Sequence, residues 1–334
     1  MDAAAGTTQL HNTLVAKDGD AAGSPDAAGA FTSLGHNLLG VLGGATGFAA
    51  GKSGDLLGSA AKPIDPKLGP LQKNVGPTPT MALLPGSPAL DAGDNSGAPT
   101  LDQQGLPRMV NGACDIGAFE AGTAPQRFIA LAYEDLFGRA VDKATSVKWS
   151  ALLAGGASAV PLLQWLTIDI EHYQAVVRQV YQAYLGQAPD AATVQSAATA
   201  LQHGAGSGAA LDQLRAKLLG SSSYYQEHGG TDAGFLAALA QDALGRPAKA
   251  SELATWSAQL RTGTSRSALA QQVLRTTDGR QYQVQGLYQE FLRRVSDPGA
   301  LSVCTNMLLQ GASQEAVILL LVESSEYYRL ATGN

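Results

Sequence analysis

The ionisable and nucleophilic side chains of this 334-residue sequence form no catalytic pattern. Its five histidines do not occur in the HExxH pattern of zinc enzymes, and no GxSxG turn presents a serine nucleophile. A polysaccharide lyase or glycosidase would need paired carboxylates or a base in one groove, and the sequence indicates no such pair. We therefore expect a protein that is not an enzyme and has no organic cofactor.

A group of oxygen-bearing side chains occurs in turn-rich sequence. Its members are Asp91, Asp94, Asn95, Asp102 and Asp115. Calcium prefers such oxygen ligands. The spacing of an EF-hand is missing, however, and Asp or Asn beside Gly also bonds its own backbone in Asx turns. Asx turns are the favoured interpretation, and calcium at Asp91, Asp94 and Asp102 is the alternative.

Apolar residues repeat at helical spacing in the second part of the chain. The pattern i, i+3, i+4, i+7 occurs four times, with Tyr133, Tyr181, Ala240 and Tyr288 at equivalent positions. These positions are 48, 59 and 48 residues apart, which indicates an internal repeat of four copies.

Each apolar stripe ends in a short motif. A Gly ends the first helix, an Arg or its substitute follows, an Asp precedes a second helix, and that helix carries Trp in two copies. The residues concerned are Gly138, Arg139, Asp142, Trp149, Gly245, Arg246, Trp256, Arg294 and Asp297. The motif could bind a glycan or an anion, but a helix cap with a local ion pair is favoured. Copies two and three carry Gln187 and Lys249, which argues against a ligand site in every copy.

Two pairs of adjacent tyrosines follow the third helices of copies two and four. They are Tyr224 with Tyr225 and Tyr327 with Tyr328. Such rings can stack on sugars. The favoured interpretation places one ring of each pair in the core and the other at a half-exposed edge.

Composition excludes some partners. The net charge of −6 leaves no basic face for phosphates, so nucleic acid is not expected. No apolar run is long enough for a membrane span. Cys114 and Cys304 lie in segments of different character, and two buried thiols are favoured over a disulfide.

The first part of the chain has a different texture. Short apolar bursts alternate with Gly, Asp, Ser and Pro, and helical periodicity is absent before residue 121. Such short bursts at irregular intervals are typical of solenoid coils. The segment from Asp65 to Glu120 contains eight prolines, which allow only short strands and fixed turns there.

Two family resemblances accompany these patterns. Residues 9–120 resemble the last coils of bacterial right-handed parallel β-helix proteins of the "choice-of-anchor" type, and residues 128–330 resemble the helical domain of unknown function DUF4214. The first resemblance is carried by Ser33–Gly40, Asp65–Leu71, Pro85–Gly93 and Asp115–Glu120. The second is carried by Tyr133, Gly138, Arg139, Asp142, Trp149, Gly156 and the closing Ser325–Tyr327.

Together these features predict closing coils of a β-helix followed by an all-α repeat region. The predicted domains are β-helix coils (1–121), a linker (122–127), a first repeat pair (128–230) and a second repeat pair (231–334). The resemblances imply a piece of a longer exported or cell-surface protein.

The function that the resemblances imply is attachment, with a cell-envelope component, a glycan or a protein as the partner. The alternative is the tail of a carbohydrate-active β-helix enzyme whose catalytic coils precede it. A signal peptide is not recognisable at residue 1, which we explain by a natural start further upstream.

Overall fold

The computed structural model describes residues 8–17, 24–49, 53–74, 78–204 and 208–332. Within these ranges, strands come first and helices follow. The strands are β1 (Thr8–His11), β2 (Leu14–Val15), β3 (Ala28–Gly35), β4 (Leu38–Leu39), β5 (Gly44–Thr46), β6 (Leu56–Leu57), β7 (Leu68–Gln72) and β8 (Thr80–Leu83).

Fourteen helices follow in the described part of the chain, from Ala124 to Thr332. They are α1 (Ala124–Phe137), α2 (Lys143–Ala154), α3 (Val160–Ile168), α4 (Ile170–Leu185), α5 (Ala191–His203), α6 (Ala209–Leu219), α7 (Ser222–Glu227), α8 (Asp232–Leu244), α9 (Ala250–Arg261), α10 (Arg266–Leu274), α11 (Thr277–Leu292), α12 (Pro298–Leu309), α13 (Gln314–Val322) and α14 (Ser325–Thr332).

The strands form three small, separate sheets. Two are parallel, with the orders β1-β3-β5 and β2-β4-β6, and the third is the antiparallel pair β7-β8. The predicted β-helix is therefore wrong, and so is the term solenoid. The fold is mixed, with small parallel and antiparallel sheets and a helical C-terminal region.

The density of turn residues explains why the sheets stay small. Strands β2, β4 and β6 have only two residues each, because Gly, Asp and Pro interrupt the apolar runs on both sides. Residues 85–123 contain turns and no strand. The backbone of residues 85–123 is thus mainly irregular and is fixed by side-chain hydrogen bonds.

The chain divides into two compact units. Unit 1 contains residues 1–134, 139–158 and 328–334, and unit 2 contains residues 135–138 and 159–327. The β-region has two apolar clusters, one around Leu10, Phe31 and Leu39 and one around Leu38, Leu83 and Ile116. The domain boundaries predicted from the sequence stay predictions.

Local sequence accounts for the ends of the helices. Gly186 and Gly245 follow α4 and α8 with φ of 62° and 65°, a backbone conformation that costs Gly nothing. The buried faces of α8 and α10 form one apolar cluster, and those of α4 and α5 form another. None of the helices in the described ranges is long and apolar enough to span a membrane.

Candidate functional site

An apolar groove of about 400 Å³ lies in unit 1, between β2, the β7-β8 pair and residues 116–119. Its floor includes Leu83 and Ile116, which belong to the core beneath. Its rim includes Leu71 and Met81, which are opposite each other in the β7-β8 pair. The rim side chains are 63% and 43% exposed, and together they form an apolar patch of the kind that marks interaction sites.

Strand β2 gives this groove a backbone edge. Among the described strands, it is an outer strand of its sheet and pairs with β4. The carbonyls of Thr13 and Val15 accept hydrogen bonds from the amides of Leu38 and Gly40 on the β4 side, at 2.9 Å each. Because bonds alternate along a strand, the amide and carbonyl of Leu14 face away from β4, on the side where the Asn12 carbonyl accepts from the Gly117 amide at 2.9 Å.

A buried group of charged side chains lies elsewhere in unit 1. Asp102, Arg108, Asp115, Glu120 and Arg127 are all buried. Their partners are mostly backbone groups: the Asp115 carboxylate accepts from the amides of residues 91 and 121 at 2.7 and 2.6 Å. Glu120 accepts from the Asp115 amide at 2.8 Å. Arg108 donates to the carbonyls of residues 115 and 117 at 3.0 and 2.5 Å.

Desolvation dominates the electrostatics of this group. Burial raises the pKa of Glu120 to about 9, and the nearby Asp115 carboxylate raises it further while its hydrogen bonds oppose the rise. Burial also raises the pKa of Asp115 to about 6. Glu120 Oε1, Arg108 Nε and Arg127 Nη1 have no hydrogen-bond partner among the described residues. Burial therefore favours the protonated form of Glu120.

The structure does not bring the calcium candidates into one site. Asp91 accepts from Lys143 Nζ at 3.0 Å, and Asp94 accepts from the Ser96 amide at 2.9 Å. Asp102 accepts from the amides of residues 104, 106 and 120 at 2.8–3.1 Å. Within the described ranges, no group of three His, Cys, Asp or Glu side chains could hold a metal ion.

The repeat motif forms a recurring helix junction. Arg139, Arg246 and Arg294 each donate to the carbonyl of the next residue, at 2.9, 3.0 and 2.8 Å. The guanidinium groups of Arg139 and Arg294 also lie over the rings of Tyr133 and Tyr288, each 5.3 Å from the ring centroid. These arginines thus have the same local geometry in three copies.

The acidic partners of two of these arginines lie on later helices. Arg246 pairs with Glu252 at 2.7 Å and with Asp278, and Arg294 pairs with Glu326 at 2.5 Å. The hydrogen bonds of Arg246 lower the pKa of Glu252 to about 2. We predicted an ion pair with the neighbouring Asp. Instead, Arg246 pairs with Glu252 in the next helix, α9, and with Asp278 in the first turn of α11. Arg294 pairs with Glu326 in the first turn of α14.

The Asp of the motif caps the second helix. Asp142 and Asp297 accept from the amides of Thr145 and Ala300, each at 2.9 Å. Gly138 and Gly245 have φ of 67° and 65°. Trp149 and Trp256 are partly buried, and Trp256 packs against the α8-α10 cluster. All of these geometries serve the helix packing.

Each tyrosine pair has one buried and one more exposed ring. Tyr224 and Tyr327 have no exposed surface, whereas Tyr225 is partly buried and Tyr328 is 40% exposed. Arg266 lies over the Tyr225 ring, 4.1 Å from its centroid. The buried rings have no face for a sugar. Glycan stacking therefore stays a prediction for Tyr225 and Tyr328.

Neither the groove nor the buried charged group of unit 1 was predicted from the sequence. The exposed Met81 had a visible signal, since it begins the short apolar run Met81–Leu84 between two prolines, whereas Leu71 is a single apolar residue between Pro70 and Gln72. Arg108, Glu120 and Arg127 had none, because single charged residues in turn-rich sequence are ordinarily solvated.

Comparisons with known proteins place the chain in no family. No family profile matches it, and neither a curated protein nor a solved structure is similar to it at a significant level. The resemblances to choice-of-anchor β-helix proteins and to DUF4214 are therefore wrong. The extracellular and adhesive role that they implied has lost that support.

Proposed function

We propose that this chain is a non-enzymatic protein-interaction module that binds an extended, apolar peptide segment in the groove of unit 1. One observation carries the proposal, namely an exposed apolar groove beside β2, an outer strand of its sheet. An extended peptide satisfies both parts of this site. Its backbone pairs with Leu14, and its alternate side chains enter the groove.

The chemistry of the groove favours a peptide over a charged or sugar ligand. Its exposed rim consists of Leu71 and Met81, and its floor consists of Leu83 and Ile116. Burying such surfaces contributes roughly 25 cal/mol per Å². The flexible thioether of Met81 can adapt to side chains of different shapes.

Selection from a phage-displayed library of short linear peptides on the full chain tests the proposal. We expect enrichment of sequences with apolar residues at alternate positions. The enriched peptides should bind the wild-type chain in fluorescence anisotropy. The substitution Leu71→Glu should weaken this binding at least about tenfold, or 1.4 kcal/mol, because it places a charge on the apolar rim.

The matched control is Leu34→Glu. Leu34 lies in β3, is 53% exposed and does not line the groove, so this variant should bind as the wild type does. Equal binding of the Leu71→Glu variant, or failure to enrich any peptide, would contradict the proposal. Location outside the cell and the nature of the natural partner stay predictions.

A further inference from the structure

The helical part of the chain is built from two similar halves, α1–α7 and α8–α14. Gly138 and Gly245 occupy the same position in the two halves, and so do Trp149 and Trp256. Both pairs are 107 residues apart (138 to 245 and 149 to 256). Each half contains seven helices in the same order. A contact in one half can therefore be compared with its counterpart.

Reciprocal contacts join the two halves within unit 2. Helix α6 packs on α10, and α3, the counterpart of α10, packs on α13, the counterpart of α6. The Tyr224 hydroxyl donates to Asp242 at 2.6 Å, and the Tyr327 hydroxyl donates to Asp135 at 2.9 Å. Both aspartates lie three residues before the Gly that ends their helix. The two contact regions are thus related by approximate symmetry.

One of these regions contains a complete buried ion pair. Asp212 on α6 is 2% exposed and accepts two hydrogen bonds from Arg280 on α11, at 2.8 and 2.7 Å. Arg275, at the end of α10, adds a third at 3.0 Å. Bidentate pairing of this kind fixes both groups.

The equivalent positions in the other region carry different residues. Tyr173 on α4 occupies the position of Arg280, and Glu315 on α13 occupies that of Asp212. His172 lies beside Tyr173 and is 2% exposed. Its Nδ1 lies 3.1 Å from the carbonyl oxygen of Leu136. A carbonyl only accepts, so Nδ1 carries the proton and Nε2 has a free lone pair.

Two buried polar atoms in this region have no hydrogen-bond partner among the described residues. They are His172 Nε2 and the Tyr173 hydroxyl. An unsatisfied buried polar atom is costly and calls for a physical explanation. Here the lone pair of His172 Nε2 can take a proton from solvent.

The charged surroundings of His172 are few. Glu315 on α13 and Asp169 at the start of α4 both favour its charged form. On α1, Asp135 is engaged by Tyr327 and Arg293. Helix α3 has no ionisable side chain, and α5 has only the exposed His203. Glu315, on α13, is therefore the acidic group whose interaction with His172 a proton on that ring would change.

We propose that His172 is a proton sensor whose protonation opens the α3-α13 contact while the α6-α10 contact stays closed. Acidification then loosens one side of the helical region. The other side is held by the bidentate hydrogen bonds between Asp212 and Arg280. This device is independent of the peptide groove in unit 1.

The sign of the effect follows from desolvation. Burial lowers the pKa of His172 below its usual value of 6.5, and Glu315 opposes this only in part. In the opened form the imidazole is solvated and binds a proton below about pH 6.5. Below this pH the opened form binds more protons than the closed form. The α3-α13 contact is therefore lost as pH falls.

Hydrogen exchange of the full-length chain between pH 7.5 and 5, corrected for intrinsic exchange rates, tests this proposal. We expect protection of the α3 and α13 amides to fall by up to about tenfold per pH unit below pH 6.5. Protection of α6 and α10 should stay constant. Equal behaviour of the two regions would overturn the proposal, and so would greater protection of α13 at acid pH.

Variants and a second measurement make the test specific. His172→Asn retains a donor for the Leu136 carbonyl and should abolish the pH dependence of α3 and α13. His203→Asn, at the exposed end of α5, should leave it unchanged. Persistence of the dependence in His172→Asn would refute the proposal.

Glu315→Gln leaves His172 in place and removes the charge that favours its protonated form. We expect the transition to move to lower pH. An NMR titration of the His172 ring in the wild-type chain provides an assay that needs no variant. A midpoint at or above pH 6.5 would contradict the proposal.

Discussion

Unit 1 and unit 2 both bury charged side chains, but they compensate those charges in different ways. In unit 1, the carboxylates of Asp115 and Glu120 are bonded mainly to backbone amides, and burial raises the pKa of both. In unit 2, Asp212 is bonded to two arginines. The same residue types are therefore bonded mainly to backbone in one group and to arginine side chains in the other.

The difference follows from how the backbone groups of each unit find their hydrogen-bond partners. Residues 85–123 lack strands and helices, so side chains must satisfy backbone groups that regular structure would otherwise pair. The helices of unit 2 satisfy their own backbone. Their charged side chains remain available to join one helix to another across long sequence separations.

The largest expected effect distinguishes the two kinds of buried arginine. Arg280→Met deprives the buried Asp212 of its bidentate partner and should lower the free energy of unfolding by about 3–5 kcal/mol. Arg108→Met leaves the carbonyls of residues 115 and 117 without this donor and should cost about 1–3 kcal/mol. Urea unfolding of each variant measures the two values.

Arg178→Met is the control for these variants. Arg178 is exposed on α4, and its replacement should change stability by less than about 0.5 kcal/mol. If Arg108→Met proves as costly as Arg280→Met, then the proposed difference between the two units is wrong.

The second prediction concerns pH and unit 1. The pKa of Glu120 is raised from 4.5 to about 9, and that of Asp115 from 3.8 to about 6. The folded unit therefore binds more protons than the unfolded chain between these values, and stability falls as pH rises. The slope reaches up to about 1.4 kcal/mol per pH unit for each group.

Glu120→Gln keeps an acceptor for the Asp115 amide but cannot ionise. We expect this variant to lose the decline of unit 1 stability above pH 6, measured by hydrogen exchange of residues 85–120. Asp65→Asn, at an exposed carboxylate of the same unit, should retain the decline. A Glu120→Gln variant with the wild-type slope would show that Glu120 is ionised in the fold.

The smallest expected effect concerns the repeat junctions. Asp142→Ala and Asp297→Ala each remove a capping hydrogen bond at 2.9 Å and should cost about 1 kcal/mol. Lys249 occupies the same position before α9 but makes no side-chain cap. Lys249→Ala should thus be nearly neutral in thermal unfolding. Equal losses in all three variants would argue against capping as the role of Asp.

The helices and their ends could be predicted from the sequence, because they depend on residues close together in the chain. The apolar stripes around Tyr133 and Tyr288 lie on helices, Gly138 and Gly245 end helices, and Asp142 begins one. It failed for the β-region, where a solenoid was predicted and small separate sheets are present. Short apolar bursts between turns do not specify which strands pair, because pairing depends on residues far apart in sequence.

The amino-acid sequence by itself determined the positions of helix starts and stops, the repeat of the helical halves and the net negative charge. These follow from neighbours within one or two turns of backbone and from composition. Tertiary structure decided the rest: the apolar groove of unit 1, the raised pKa of Glu120 and the unequal contacts of Asp212 and His172. Each of these depends on desolvation, and a side chain loses its water only when distant segments pack around it.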